Sequence, residues 1–287
     1  MTPLENWKDR ELVSVRDNIL FINTLPSNLE SASLKSLTEC LFQLSDVYSY
    51  VAFDGNCESD VGVILFCGFN ERFLTLRLLE NTNVNCLVVQ DSVAPWYTGS
   101  TMCRGVDQVK EVAENKFPSV SRWLLIGQSS GGYAALRLSR MLDRSCALAF
   151  APQCFDDFAL KGSSIHFPPN FRCSRTLNVG SNVQDLRLIF FEAPPLEWSR
   201  VYIVSAFSEH ENPPSEWFWI DAMHWGRLVD HPDVTVFITG GGFHSVLFQS
   251  VHRYSRLMRK IIDLQEFRHD AVVKLIEECV YLDEASL

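Results

Sequence analysis

Short apolar runs alternate along this chain with longer stretches whose apolar residues recur every three or four positions. The runs Ile19–Ile22, Val47–Phe53, Val61–Cys67, Cys86–Gln90, Trp123–Ile126, Cys146–Phe150, Arg200–Ser205 and Val234–Thr239 read as strands. From Val61 onward they are mostly continuous rather than alternating, as expected of strands buried on both faces. Helical spacing fills the gaps over Ala32–Leu44, Arg72–Asn81, Gly105–Asn115, Gly132–Leu142 and Gln249–Leu264. Strand–helix–strand alternation predicts an α/β protein with a mostly parallel central sheet of about eight strands and helices on both faces. The stretch 155–198 breaks the pattern. It holds Pro168-Pro169, a Ser/Asn-rich piece and Pro194-Pro195, and it reads as an insertion or small lid over the sheet edge. With no internal repeat, residues 1–287 are expected to form one domain, in which 1–60 contributes the leading strands and a helix and the helices after Gln249 cover the sheet.

Composition narrows the class. Of 287 residues, 47% are hydrophobic and 21% charged, which excludes a disordered tail or a fibre. Lys+Arg number 25 against 35 Asp+Glu, a formal charge of −10. Without a basic run, the cationic footprint that nucleic acid requires is missing. No stretch reaches the ~18 apolar residues of a membrane span. The opening residues carry neither a positive n-region nor an apolar h-region, so no secretory signal is expected there. The nine cysteines include no CxxC pair, and Cys67, Cys86 and Cys146 sit inside apolar runs. Buried thiols, no zinc and a reducing, cytoplasmic setting are the expectation.

The chemistry concentrates at Gly127-Gln128-Ser129-Ser130-Gly131, a G-x-S-x-G preceded by an apolar strand and followed by a small-residue helix. Alone the pattern is weak, but this context is that of a nucleophile elbow. A turn this tight strains the serine and brings its neighbours into collision unless they lack a Cβ. The following helix then directs partial positive charge at a developing oxyanion. The alternative is a glycine-rich turn that binds phosphate or merely packs.

A serine nucleophile needs a base and an orienting acid, in chain order Ser, acid, His. His244 follows the last strand and the turn Gly240-Gly241-Gly242-Phe243, where the base belongs; the other six histidines read as surface or satisfied core residues. The acid is expected in the loop after Arg200–Ser205, which holds Glu209, Glu211, Glu216 and Asp221. Asp221, in the apolar setting Trp217-Phe218-Trp219-Ile220-Asp221-Ala222-Met223-His224, is favoured because a carboxylate there needs a partner. Glu209 and Glu211 lie closer to the strand end, and Asp221 would otherwise cap the helix that carries His224. The oxyanion hole is expected from the backbone N–H groups of Ser130 and of Phe69, in the loop Gly68–Phe73. Trp96, Tyr97, Phe155, Trp217 and Trp219 are candidates to line an acyl or sugar site, with ordinary packing the alternative.

These residues resemble those of the α/β-hydrolases. More narrowly, the chain is similar to a bacterial group that accompanies glycosyltransferases in polysaccharide and glycoprotein pathways, including accessory-secretion proteins implicated in sugar acetylation. The matching pieces are Phe66-Cys67-Gly68 with Arg72-Phe73, Gln90-Asp91 through Trp96-Tyr97, Gly127 to Ala135, Ala149-Phe150-Ala151-Pro152-Gln153, and Asp221-x-x-His224 with Gly241-x-x-His244. They span about residues 61 to 250. The resemblance implies Ser129 as nucleophile and His244 as base, adds weight to Asp221 and implies an acylated carbohydrate as substrate. Residues 1–60 have no counterpart in it.

Two function classes follow. The first is a serine esterase, deacetylase or acyltransferase that forms an acyl-serine, takes a small-molecule or glycan acyl ester and uses no cofactor. The second is a hydrolase-like scaffold that binds a ligand or partner without catalysis, since fold does not fix function. Nucleophile and base are both present, which favours the enzyme.

Overall fold

The computed structural model describes residues 13–16, 19–44, 47–54, 58–68, 71–93, 96–101, 103–154, 185–192, 200–207, 216–240 and 246–281. Its strands are β1 (Val13–Arg16), β2 (Ile19–Ile22), β3 (Tyr50–Phe53), β4 (Val61–Phe66), β5 (Asn85–Val89), β6 (Arg122–Gln128), β7 (Ser145–Phe150), β8 (Arg200–Phe207) and β9 (Val234–Gly240). They join in one sheet in the order β1-β2-β3-β5-β4-β6-β7-β8-β9. The β1–β2 and β3–β5 pairings are antiparallel and the rest are parallel. The described sheet thus has nine strands rather than about eight. The addition, β1, is a four-residue edge hairpin partner whose Val-Ser-Val-Arg is too short to read from pattern.

The helices are α1 (Ser31–Leu44), α2 (Val106–Lys116), α3 (Ser130–Ser139), α4 (Leu186–Glu192), α5 (Glu216–Gly226), α6 (Val246–Gln249), α7 (Val251–Ile262) and α8 (His269–Tyr281), with a 3-10 segment at Leu74–Leu79. Every residue of β4 and of β7 is buried, the property that their continuous apolar runs predict. Alternate side chains divide between two cores. Val63 and Leu65 pack with α1, the 3-10 segment, α7 and α8, while Ile64 and Phe66 pack with α2, α3 and α4 on the other face.

Several boundaries move for local reasons. The strand expected from Val47 begins at Tyr50, because the N–H groups of Val47 and Tyr48 both bond to Leu44 O, ending α1 in a turn. The helix expected over Arg72–Asn81 is only the 3-10 segment, since Arg72 (φ 44°) and Phe73 (φ 66°) lie in the left-handed region that a helix cannot include. The helix expected over Gln249–Leu264 splits at Ser250 (φ −145°, ψ 60°). Within 155–198, the described residues carry α4, whose Leu186 and Phe190 are buried in the core; the rest of the expected insertion lies outside the described residues.

The topology opens a crevice at one end of the sheet. The chain passes from β4 to β5 over one face, then crosses back by α2 on the other face to reach β6. Strand order therefore reverses between β4 and β6, and the crevice outside their C-terminal ends is the position where open α/β sheets bind ligands.

Candidate active site

Ser129 stands at that crevice. It follows β6, precedes α3 and has φ 57°, ψ −120°, a conformation that costs a non-glycine residue on the order of 1–3 kcal/mol. Its N–H donates to Phe150 O (2.9 Å), and its carbonyl accepts from Tyr133 N (3.1 Å) and Gln153 N (3.2 Å). Ser129 is half-buried, whereas Ser130 is fully buried in the first turn of α3, where backbone N–H groups have no partner within the helix.

The motif's glycines are required by close approach. A Cβ on Gly127 would lie 2.2 Å from Gly131 O, and one on Gly131 would lie 2.4 Å from Phe66 O at the end of β4. The strand, the helix and the neighbouring strand therefore meet through backbone alone. Gly131→Ala is expected to destabilise the fold by about 3 kcal/mol, because neither backbone can yield. Gly226→Ala, where the new methyl meets nothing within 4 Å, should be neutral or slightly stabilising. Urea unfolding of both variants checks this; equal midpoints would remove the steric argument.

Around the serine, three loops are tied together. After β4, Gly68 packs beside the elbow: a Cβ there would lie 2.9 Å from Gln128 O. Gly68 N–H donates to the Glu71 carboxyl, and Glu71 N–H returns a bond to Gly68 O (3.1 Å). Burial pushes the Glu71 carboxyl up to about 8, against the opposing pull of the Gly68 bond. Near neutral pH it is therefore mainly a neutral acid. Phe69, the expected oxyanion donor, lies outside the described residues.

After β7, Gln153 N–H holds the Ser129 carbonyl, and the next residue's N–H, on Cys154, donates to His224 Nδ1 at 3.0 Å. His224 is 1% exposed and Asp221 2% exposed. Both sit on α5, three residues apart and so on one helical face. Burial raises the Cys154 thiol well above its usual value; nearby Asp185 raises it further, Arg227 opposes, and Asp221 adds to the rise. The sequence expectation that Asp221 lies in a loop is corrected, because α5 already covers it. Its alternative role as a helix cap is excluded on the same ground, since both Asp221 and His224 are internal to α5. His224 is a core histidine whose Nδ1 accepts the Cys154 N–H.

After β9, His244 lies outside the described residues, as do Glu209 and Glu211. Leu247, three residues beyond His244, donates its N–H to Gln128 Oε1 at 2.7 Å. Gln128 is buried and immediately precedes Ser129. Its role is invisible in the sequence, where it is a variable position of the motif. Tyr97 does not line a pocket. It is fully buried, donates to Cys67 O and Val89 O (both 2.8 Å) and packs edge-on against Phe66 at 5.2 Å. Trp96 is 3% exposed and likewise belongs to the core. Phe155 lies outside the described residues, and of Trp217 and Trp219 only the helical backbone is described. Among the described residues no His, Cys, Asp and Glu group is arranged to hold a metal ion, and no helix is long and apolar enough to cross a membrane.

The reversal of strand order between β4 and β6, with a strained serine joining strand to helix at that point, defines the α/β-hydrolase fold. The sequence matches no protein-family model and no curated protein. Among solved structures it is similar to the Glycosylation Associate Protein (Gap123) complex from Streptococcus agalactiae: 13% identity, TM-score 0.48, 77% of this chain and 46% of that one. It is also similar to the proline iminopeptidase of Mycobacterium smegmatis, at 11% identity and TM-score 0.46 over 75% and 91% of the two chains. The capsule O-acetyltransferase of Neisseria meningitidis serogroup A shares 15% identity and TM-score 0.46 over 71% and 87%. This chain spans less than half the length of the Gap123 chain.

Proposed function

We propose that the chain is a serine hydrolase or acyltransferase that works through an acyl-serine intermediate. The strained Ser129 between β6 and α3 carries this reading: backbone strain of this kind is stored where a side chain must be presented for chemistry. Ser129 attacks the ester carbonyl, His244 takes its proton and returns it to the leaving alcohol, and Asp221 orients the imidazole. The N–H groups of Phe69 and Ser130 receive the oxyanion. Water or an acceptor hydroxyl then resolves the acyl-enzyme.

The Gln128–Leu247 hydrogen bond supports His244 as the base. Three residues span at most about 10 Å, a tether short enough for an imidazole at position 244 to reach the elbow. The neutral state of Glu71 also suits the chemistry, because a carboxylate beside Gly68 would oppose the negative charge that the oxyanion loop must receive. Resemblance to the polysaccharide-pathway hydrolases extends the substrate class to acylated carbohydrate, alongside small-molecule esters.

A fluorophosphonate probe tests the reading. It should label the folded wild-type chain at one serine, and Ser129→Ala should abolish the label. Folded protein that takes no probe, or a variant labelled like wild type, would point instead to a binding scaffold.

A further inference from the structure

At the opposite end of the sheet, a cavity of about 330 Å³ opens beside the N-terminal ends of β6, β7 and β8. Its wall includes Arg122, Arg144, Arg200, Phe267, Arg268 and His269. The first three enter three adjacent strands: Arg122 opens β6, Arg144 precedes β7 and Arg200 opens β8, with Trp123 paired to Ser145 and Cys146 to Arg200. We propose that this cavity binds a phosphorylated small molecule, its phosphate held by Arg144, Arg200 and Arg268 and its organic part laid against Phe267 and His269.

The arginines are not equally engaged. Arg122 donates twice to Asp60 (2.9 Å each) and once to Leu264 O (2.9 Å), and its guanidinium lies 5.4 Å from the Phe267 ring. It is part of the wall. Arg200 meets Asp233 at 3.0 Å, and that carboxylate also serves Arg140 at 3.3 Å. Arg268 makes a two-point pair with Asp270 (3.2 and 2.9 Å), both side chains more than two-thirds exposed, where solvent screens the attraction, so an anion competes with Asp270 for this guanidinium. Arg144 makes no ion pair among the described residues. Glu266 also lines the cavity and opposes an anion. Four arginines line the cavity together with two carboxylates, Glu266 and Asp270, on a chain of net charge −10.

Arg144 is also strained, with φ 54°. Glycine or asparagine would suit this left-handed turn, and an arginine there costs about 1 kcal/mol. The backbone does not ask for this residue, which points to a use for its side chain. Several guanidinium forks match the oxygens of a phosphate dianion. The volume is at the lower end of small-molecule sites, larger than an inorganic anion needs. A flat wall for the organic part comes from Phe267 and from His269, which stacks on Tyr202 (5.9 Å between ring centres, 13° between planes) and bonds its hydroxyl through Nδ1 (3.2 Å). Seven strand positions separate Arg122 from Ser129, roughly 23 Å, so the cavity and the crevice at Ser129 are independent.

Isothermal titration at low salt with inorganic phosphate, glucose 6-phosphate and adenosine monophosphate tests the proposal. At least one ester should bind about tenfold more tightly than inorganic phosphate. Arg144→Asn, which suits the left-handed turn better, should weaken that ester by about tenfold or more while the unfolding midpoint stays level or rises. Ser129→Ala should bind as wild type does, which separates this cavity from the catalytic crevice. No ester binding up to about 10 mM, inorganic phosphate binding as well as the esters, binding lost in Ser129→Ala, or unchanged binding in Arg144→Asn would each overturn it.

Discussion

Ester hydrolysis by Ser129→Ala should fall by about 10⁶-fold in kcat, while its urea midpoint stays unchanged or rises slightly. The loss corresponds to about 8 kcal/mol of transition-state stabilisation, because no other side chain substitutes for the attacking oxygen. Stability is spared for structural reasons. Ser129 is only half-buried, and its three backbone hydrogen bonds, to Phe150, Tyr133 and Gln153, survive the substitution. Ser129→Gly should show the strain directly, since glycine adopts φ 57° freely, and its midpoint should rise above that of the alanine variant. Combining Ser129→Ala with His244→Ala should add little further loss, as members of a triad act as a unit. p-Nitrophenyl esters from acetate to long chains, with acetylated sugars alongside, provide the assay. Retention of most activity in Ser129→Ala would end the nucleophile assignment.

The parts of this architecture set by local pattern were legible in the sequence, and the parts set by distant contacts were not. The fully apolar runs of β4 and β7 announced strands covered on both faces, and Gly127 and Gly131 announced the turn because their missing side chains are the condition for it. The 3-10 segment after Phe73 was misread as a helix, since periodic leucines carry no trace of the left-handed Arg72 and Phe73 before them. The sequence expectation puts Asp221 in the loop after Arg200–Ser205, whereas it lies inside α5, because the aromatic-rich run from Trp217 to Trp219 continues into a helix. For Tyr97 the sequence leaves a pocket lining and ordinary packing open; what decides for packing is its hydroxyl, which meets carbonyls of β5 and of the residue after β4, contacts across the fold that no local window contains. The Gln128–Leu247 bond joins residues 119 positions apart and was equally out of reach.

Asp221→Asn should lower kcat by roughly 10⁴-fold, about 5.4 kcal/mol, without unfolding the chain. The change is isosteric, within a helix and at a position 2% exposed, so packing is preserved while the carboxylate proposed to hold the productive histidine tautomer is lost. The position of α5 favours this residue. His224, on the same face, binds Cys154 N–H at 3.0 Å, and the neighbouring Gln153 N–H binds the Ser129 carbonyl at 3.2 Å. Asp221 is thus carried by a helix anchored one residue away from a group that touches the Ser129 backbone. A His224→Ala control is informative, because it loosens α5 without removing the carboxylate. Weaker stability with a milder fall in kcat than Asp221→Asn is expected, since the buried Cys154 N–H loses its acceptor. Glu209→Gln and Glu211→Gln should be mild if Asp221 is the acid. A 10⁴-fold loss in either glutamate variant, with Asp221→Asn near wild type, would transfer the role to that glutamate and leave Asp221 a buried residue of α5.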